Sequence, residues 1–231
     1  MNKQNINNRI LFEDNHLIAI NKESGDLVQG DKTGDETLPD LIKDYIAVKY
    51  DKPGAVFLGV VHRLDRPTSG VVIFARTSKA LPRMNKLFAE HKTNKTYWAI
   101  VEGKVPEKSA RLEHYLVRNP KQNKSYAHDH EVPNSKKAAL SYSVLKELDR
   151  YTLLEIQLAT GRHHQIRTQL AKIGCVIKGD LKYGAKRSNK DGSIHLHARS
   201  LAFVHPVRKE PVNIIAPVNK KDAIWKLVAD L

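Results

Sequence analysis

The sequence predicts an α+β fold, a mixed α/β arrangement of one extended, largely antiparallel sheet flanked by helices. Three observations carry that expectation. Short apolar or alternating stretches are interspersed with stretches of helical periodicity along the 231 residues. Several neighbouring strand-like stretches look antiparallel, and two of them are close enough to form a hairpin across "DR". No internal repeat, low-complexity tract or clear linker interrupts the chain. It therefore reads as a single domain over 1–231 with a polar tail over about 1–9, and with room for two lobes on one continuous sheet.

"HLIAINKESG" (16–25) reads as a short strand entering a glycine turn. "LPDLIKDYIAVKY" (38–50) carries Leu38, Leu41, Ile42, Tyr45 and Ile46 at helical spacing. "RPTSG" is a turn signal before a buried strand, "VVIFA" (71–75). Ser78 is a candidate N-cap for a helix through about residue 91, with Leu81, Met84, Leu87 and Phe88 on its inner face. "KTYWAIVEG" (95–103), "KAALSYSVLKEL" (137–148) and "YTLLEIQLAT" (151–160) read as strands, the last two as the hairpin. The polar segment 119–137 is the most loop-like part of the chain. "HHQIRTQLAKIG" (163–174) reads as a helix with Ile166, Leu170 and Ile173 inward and Gly174 at its C-terminus. "IHLHARSLAFVHP" (194–206) is a strand with polar interruptions, and "DAIWKLVADL" (222–231) a closing helix.

Lys plus Arg is 39 and Asp plus Glu is 25, a formal charge of +14. Such an excess points to a polyanionic partner, nucleic acid before an anionic membrane. The single cysteine, Cys175, supports neither a disulfide framework nor a cysteine-based zinc site, and fits a reducing, cytoplasmic home. The N-terminus lacks the apolar core of a signal peptide, and no apolar run approaches the ~20 residues of a membrane span.

In "VVHRLDRPTSG" one carboxylate, Asp65, lies between Arg63 and Arg66 beside an apolar strand. Neighbouring arginines lower a carboxylate's pKa, and an ionised carboxylate in a shielded pocket acts as a nucleophile or a base. The bland alternative is a turn cap or a structural ion pair. In "ATGRHHQIRTQL" (159–170), Arg162, His163, His164, Gln165 and Arg167 crowd the positive end of a helix. That end favours an anion, and basic residues there oppose the macrodipole; the alternative is a solvated basic helix start. Tyr97 on its strand could stack on a base, or be ordinary core. His195 and His197 share a strand face, but no HExxH and no third ligand of metal-site spacing accompanies them. No dinucleotide or P-loop motif is present.

Taken together, "HRLDRPTSG", "KTYWAIVEG" and "GRHHQIR" resemble the three motifs of the RluA-type pseudouridine synthases, and "GDLKYG" and "LHARSLAFVHP" extend the match in the same order over about residues 10–215. The resemblance implies that fold, with an active-site cleft across the middle of the sheet, and RNA uridine isomerisation. It makes Asp65 the catalytic aspartate, either attacking C1′ or removing a proton to give a glycal. It makes Tyr97 the ring that stacks on the target base and Arg162 the cation that pairs with Asp65. Arg63 becomes the residue that enters the RNA as the nucleotide is flipped, with His62, Arg66, His164, Gln165 and Arg167 of the same motifs as further RNA contacts; Lys186 and Arg187, in a polar basic loop, are expected phosphate contacts on charge alone. The isomerisation gains and loses no atoms, so it implies no cofactor and no metal. The partner it implies is RNA, a ribosomal or transfer RNA stem-loop, met by a monomer with no membrane and no obligate protein partner. Many relatives carry an N-terminal S4-type RNA-binding domain; here the catalytic stretch begins about nine residues in, so grip on RNA is expected from the basic surface. A catalytically silent RNA-binding module on the same fold is the competing reading, opposed by the intact Asp65, Tyr97 and Arg162. An aspartate-nucleophile hydrolase lacks a recognisable general base and oxyanion loop.

Overall fold

Four consecutive strand residues, Leu17 to Ile20, are shut off from solvent, so that strand is covered on both faces. The structure, a computed structural model, describes residues 6–30 and 34–231. Its elements in chain order are β1 (Ile10–Glu13), β2 (Leu17–Lys22), α1 (Leu38–Lys49), β3 (Gly59–Val60), β4 (Ser69–Ala75), α2 (Ala80–Ala89), β5 (Thr93–Glu102), β6 (Ser109–Asn119), β7 (Lys124–His128), β8 (Lys136–Glu147), β9 (Tyr151–Leu158), α3 (Gln165–Lys172), β10 (Leu196–Val204), β11 (Pro211–Ile215) and α4 (Ala223–Lys226). This is the expected α+β class, with antiparallel pairings and few helices. The chain divides into two compact units: residues up to Asn94 with Ala198–Val218, and Lys95–His197 with Asn219–Leu231.

In the first unit, β1 and β2 form an antiparallel hairpin whose turn is fixed by Asp14, which accepts the N–H groups of His16 (2.7 Å) and Leu17 (2.8 Å). β2 pairs with β4 from Leu17↔Ala75 to Lys22↔Gly70. Ile18 and Ile20 of β2 and Val72 and Phe74 of β4 pack with Leu38, Leu41, Ile42 and Ile46 of α1 in one apolar cluster. That helix starts in a capping box, Thr37 with Asp40, and has Pro39 in its first turn, where proline costs no hydrogen bond. Gly70 has φ 114°, and a Cβ there would stand 2.3 Å from the Ala198 carbonyl oxygen, so only glycine lets the start of β4 approach β10 this closely. At α2 the helix begins at Ala80, and Thr77, not the expected Ser78, accepts the Ala80 N–H.

The second unit is an antiparallel meander in the order β5-β9-β8-β6-β7. α3 packs on β6 and β7. The segment 119–137, expected to be loop, contains β7. Only Ser125 of that strand is buried, so it has no apolar alternation to read; polar partners secure it, the Ser125 N–H donating to the Tyr183 hydroxyl at 2.9 Å. The expected closing helix is a single turn, α4, capped by Asp222 through the N–H groups of Ile224 and Trp225. So short a helix persists by packing rather than by its own propensity: Trp225 stacks on His195 at 5.3 Å and tilts against His197 at 5.9 Å.

Candidate active site

The segment between β3 and β4 carries Asp65. The Thr68 N–H donates to the Asp65 carbonyl at 3.0 Å, closing a β-turn over Arg66 and Pro67. Leu64 packs against the apolar cluster beneath. His62 accepts the Ile73 N–H on Nε2 at 3.1 Å and stacks on Phe88 at 4.8 Å. On the far side, the Arg66 carbonyl accepts the Gly25 N–H at 2.9 Å. The turn is thus anchored at both ends and leaves the Asp65 side chain half-buried.

The arginines flanking Asp65 are exposed and reach other partners, Arg63 the Gln29 side chain and Arg66 the Asp35 carboxylate at 2.8 Å. A cation whose field reaches Asp65 from inside the fold is Lys22, which no motif singled out. It is fully buried, and its Nζ donates to the carbonyls of Thr68 (2.7 Å), Glu23 (3.0 Å) and Arg66 (3.1 Å). Burial pushes its pKa down to about 8, although Asp26 and then Asp65 act the other way. Asp26 is itself buried in an ion pair with Arg9 and accepts the Glu23 N–H at 2.9 Å. One signal could have found Lys22: strand alternation puts it on the core-facing side with Ile18 and Ile20.

In the second unit, Tyr97 sits in β5 opposite Ile156 and is largely buried. The loop before α3 is a hydrogen-bonded knot. Gln165 Oε1 accepts the Thr160 hydroxyl at 2.7 Å and the Arg162 N–H at 2.9 Å, while its Nε2 donates to the Ala139 carbonyl at 3.0 Å. Arg162 is exposed, its Nε donating to the Lys137 carbonyl at 3.1 Å. Lys95 lies beside this loop, and burial lowers its pKa. His164, at φ 52°, stacks on His163 at 3.8 Å and bonds the Tyr183 hydroxyl through Nδ1 at 2.9 Å.

Of the residues expected to contact RNA, Arg63, Arg66, Lys186 and Arg187 are exposed. Three others are buried: His164 bonds Tyr183 through Nδ1, the Gln165 amide joins the loop before α3, and the Arg167 guanidinium is held within the fold. Arg167 is the clearest case. Its Nε and one terminal nitrogen meet both oxygens of the equally buried Asp180, with the guanidinium over the Tyr183 ring at 5.1 Å. His62, half-buried, likewise spends Nε2 on the backbone of β4.

Comparison with known proteins adds to this geometry. The family model described as RNA pseudouridylate synthase matches residues 16–172. The ribosomal large subunit pseudouridine synthase C of Buchnera aphidicola subsp. Baizongia pistaciae is 34% identical over 230 residues, covering 96% of this chain and 70% of that protein. The tRNA pseudouridine synthase C of Vibrio parahaemolyticus is 32% identical over 239 residues, covering 94% and 92%. Among solved structures, human RNA pseudouridylate synthase domain containing 4 superposes with a TM-score of 0.80 at 23% identity, covering 98% of this chain and 94% of that one, which is a likeness of fold.

Proposed function

This chain belongs to the RNA pseudouridylate synthase family, and from that premise we propose that Asp65 is the carboxylate that acts on the target ribose, with Tyr97 stacking on its base and Arg162 as the cation of Asp65. The chain is an RNA pseudouridine synthase, an isomerase of uridine. In that reaction the N1–C1′ bond breaks and a C5–C1′ bond forms. The C5 proton leaves and N1 gains one, so the atoms balance. A stacked uracil is out of reach, so the nucleotide must be extruded at a cost of about a few kcal/mol, less in a loop. Arg63, exposed two residues before Asp65, takes the vacated place in the RNA.

The observation that carries this reading is the anchoring of the Asp65 turn at both ends. Pre-organisation of this kind is what a reacting carboxylate requires and a surface turn does not. Tyr97 and Arg162, each in its motif, support the enzymatic reading over that of a silent binding module. The substrate is a structured RNA, ribosomal or transfer; relatives named for each have similar identity to this chain. The +14 charge supports a grip dominated by phosphates. We read the protein as a cytoplasmic monomer without an obligate protein partner; the lone cysteine, Cys175, is buried, in keeping with a reducing compartment.

Asp65→Asn is the test. The amide is nearly isosteric and has no anionic oxygen to act as nucleophile or base. Tritium release from C5-labelled uridine RNA should vanish while RNA affinity is retained. Turnover within about tenfold of wild type would remove Asp65 from the reaction. Pseudouridine-specific sequencing of RNA from a deletion strain would then name the position that loses its modification.

A further inference from the structure

We infer that the cleft between α2 and the turn joining β10 to β11 is a second RNA site. It takes a nucleotide of the bound RNA outside the target uridine, with the phosphate at a cationic rim and the sugar or base on an apolar floor. The inference rests on the reading of RNA as the substrate.

The cleft lies wholly in the first unit and has a volume of about 430 Å³. Ligand sites commonly hold about 300–1,000 Å³. The rim carries Arg83 and Lys86 of α2, Lys92 just beyond that helix, and Lys209 of the turn, all exposed. Its carboxylate is Glu90, 2.8 Å from Lys92 and 3.7 Å from Lys86. Arg83 and Lys209 have no carboxylate partner among the described residues. Between the charges lie Leu87 and Val207, half-buried, and the buried Pro206. Cations in excess around an apolar hollow suit a nucleotide, whose phosphate needs the first and whose sugar or base needs the second.

The turn that forms one wall is built around His205. Its Nδ1 accepts the N–H groups of Val207 (3.2 Å) and Arg208 (2.9 Å), and its carbonyl accepts the Lys209 N–H at 3.0 Å. Arg208 is drawn away to Glu210 and Asp14, at 3.4 and 3.7 Å. Lys209 goes the other way, into the cleft, where its Nζ also donates to the Pro206 carbonyl at 3.1 Å. Its φ is 62°, in the left-handed region that glycine or asparagine enters at less cost. A lysine held there at a backbone cost is a mark of function, because folding alone would be served better by glycine.

The other wall leads to the active site. Phe88, next to Leu87 on α2, stacks at 4.8 Å on His62, three residues before Asp65. One helix thus borders the cleft and supports the segment that carries the reacting carboxylate. An acidic protein surface would meet the same cations, but it would leave the apolar floor without a sugar or base to cover it.

The test is the double variant Arg83→Gln with Lys209→Gly. Glycine suits the φ at 209, so the melting temperature should not fall. Filter binding to a transfer RNA transcript and to a ribosomal RNA stem-loop transcript is measured across ionic strengths. Affinity should fall about tenfold or more at about 0.1 M salt, and the logarithmic salt slope should lose about 1.4–1.8. Both RNAs should lose alike, because phosphates carry no sequence. Lys221→Gln with Lys226→Gln removes the same charge from exposed positions outside the cleft and should cost less than about twofold. An unchanged slope in the cleft variant, or an equal loss in the control, would overturn the inference. If the cleft variant does not fold, p-benzoylphenylalanine in place of Val207 decides. It should cross-link either RNA on irradiation, and an absent cross-link would sink the site. A cross-link to protein in cell extract, with none to RNA, would overturn it in favour of an acidic partner. The two failures are distinct. A wild-type protein whose binding to both RNAs is weak and indifferent to salt defeats the reading of the substrate. A steep slope in the wild type, kept in the cleft variant, defeats only the cleft.

Discussion

The guanidinium of Arg167 and the carboxylate of Asp180 meet through two hydrogen bonds of 2.7 and 2.8 Å, and neither side chain is exposed. Breaking such a pair leaves an uncompensated buried charge at a cost of about 3–5 kcal/mol. Asp180→Asn should therefore lower the melting temperature by about 6–20 °C. Arg167→Lys should also destabilise, because a point charge cannot span both carboxylate oxygens. Thermal melts followed by circular dichroism measure both, and an unchanged melting point would mean that the pair is not closed to water.

Tyr97 separates stacking from hydrogen bonding. Tyr97→Phe should keep the ring and most of the binding of the flipped base, losing only what the phenol does. Tyr97→Leu should lose about 1–3 kcal/mol of base stacking, roughly 5- to 150-fold in kcat/KM. Steady-state tritium release on one RNA substrate compares the two, and equal activity of the two variants would take stacking away from Tyr97.

The C-terminal turn should loosen in acid. His195 is buried between Asn189, whose Nδ2 lies 3.0 Å from Nδ1, and Asp222, whose carboxylate lies 3.1 Å from Nε2. A neutral ring satisfies both neighbours, accepting at Nδ1 and donating from Nε2. Burial lowers its pKa below the ordinary 6.5, with Asp222 opposing. Between those two values the unfolded chain binds more protons, so stability is lost as pH falls below about 6.5. Trp225, stacked on the same ring, reports the change. In a Trp98→Phe background, its fluorescence should shift on acidification, and His195→Gln should weaken that dependence. A flat signal down to about pH 5 would contradict the assignment.

RNA affinity should fall linearly with salt on logarithmic axes, with a slope of about 0.7–0.9 per phosphate contacted and a total magnitude above about 3. Lys186 and Arg187 are exposed. Reversing their charge should weaken binding to many RNAs alike and reduce the slope, while the choice of uridine is kept. Filter binding across ionic strengths tests this, and an affinity indifferent to salt would point to base-edge recognition.

Where apolar periodicity was strong, sequence and structure agree: β2, α1, β4, the β8–β9 hairpin and the core of α3 lie where the patterns placed them. β7 was invisible because it exchanges polar groups with Tyr183 and His163 rather than burying alternate apolar side chains. α4 was overestimated, since its periodic residues need Trp225 on two histidines to stay ordered. At the site, the motif around Asp65 was legible as a charge pattern, but its arginines were credited with a field that Lys22 shares from below. A lysine at the end of an apolar strand ordinarily reaches for water, whereas this one stays inside on three carbonyls, its neighbour Glu23's and those of Arg66 and Thr68 far along the chain. Arg167 is the complementary case: its sequence context shows a cation at a helix start without showing the Asp180 carboxylate that pairs with it.

The close approach of Gly70 to Ala198 bears on how this protein is made. β4 leaves the ribosome before the chain that lies against it, which comes more than a hundred residues later, several seconds or more at about 5–20 residues per second. Throughout that interval the nascent first unit has an unfinished sheet edge, a template for pairing with the wrong strand. Proper assembly must wait until β10 has been made, and a stall after residue 94 would release a fragment prone to clumping with its neighbours.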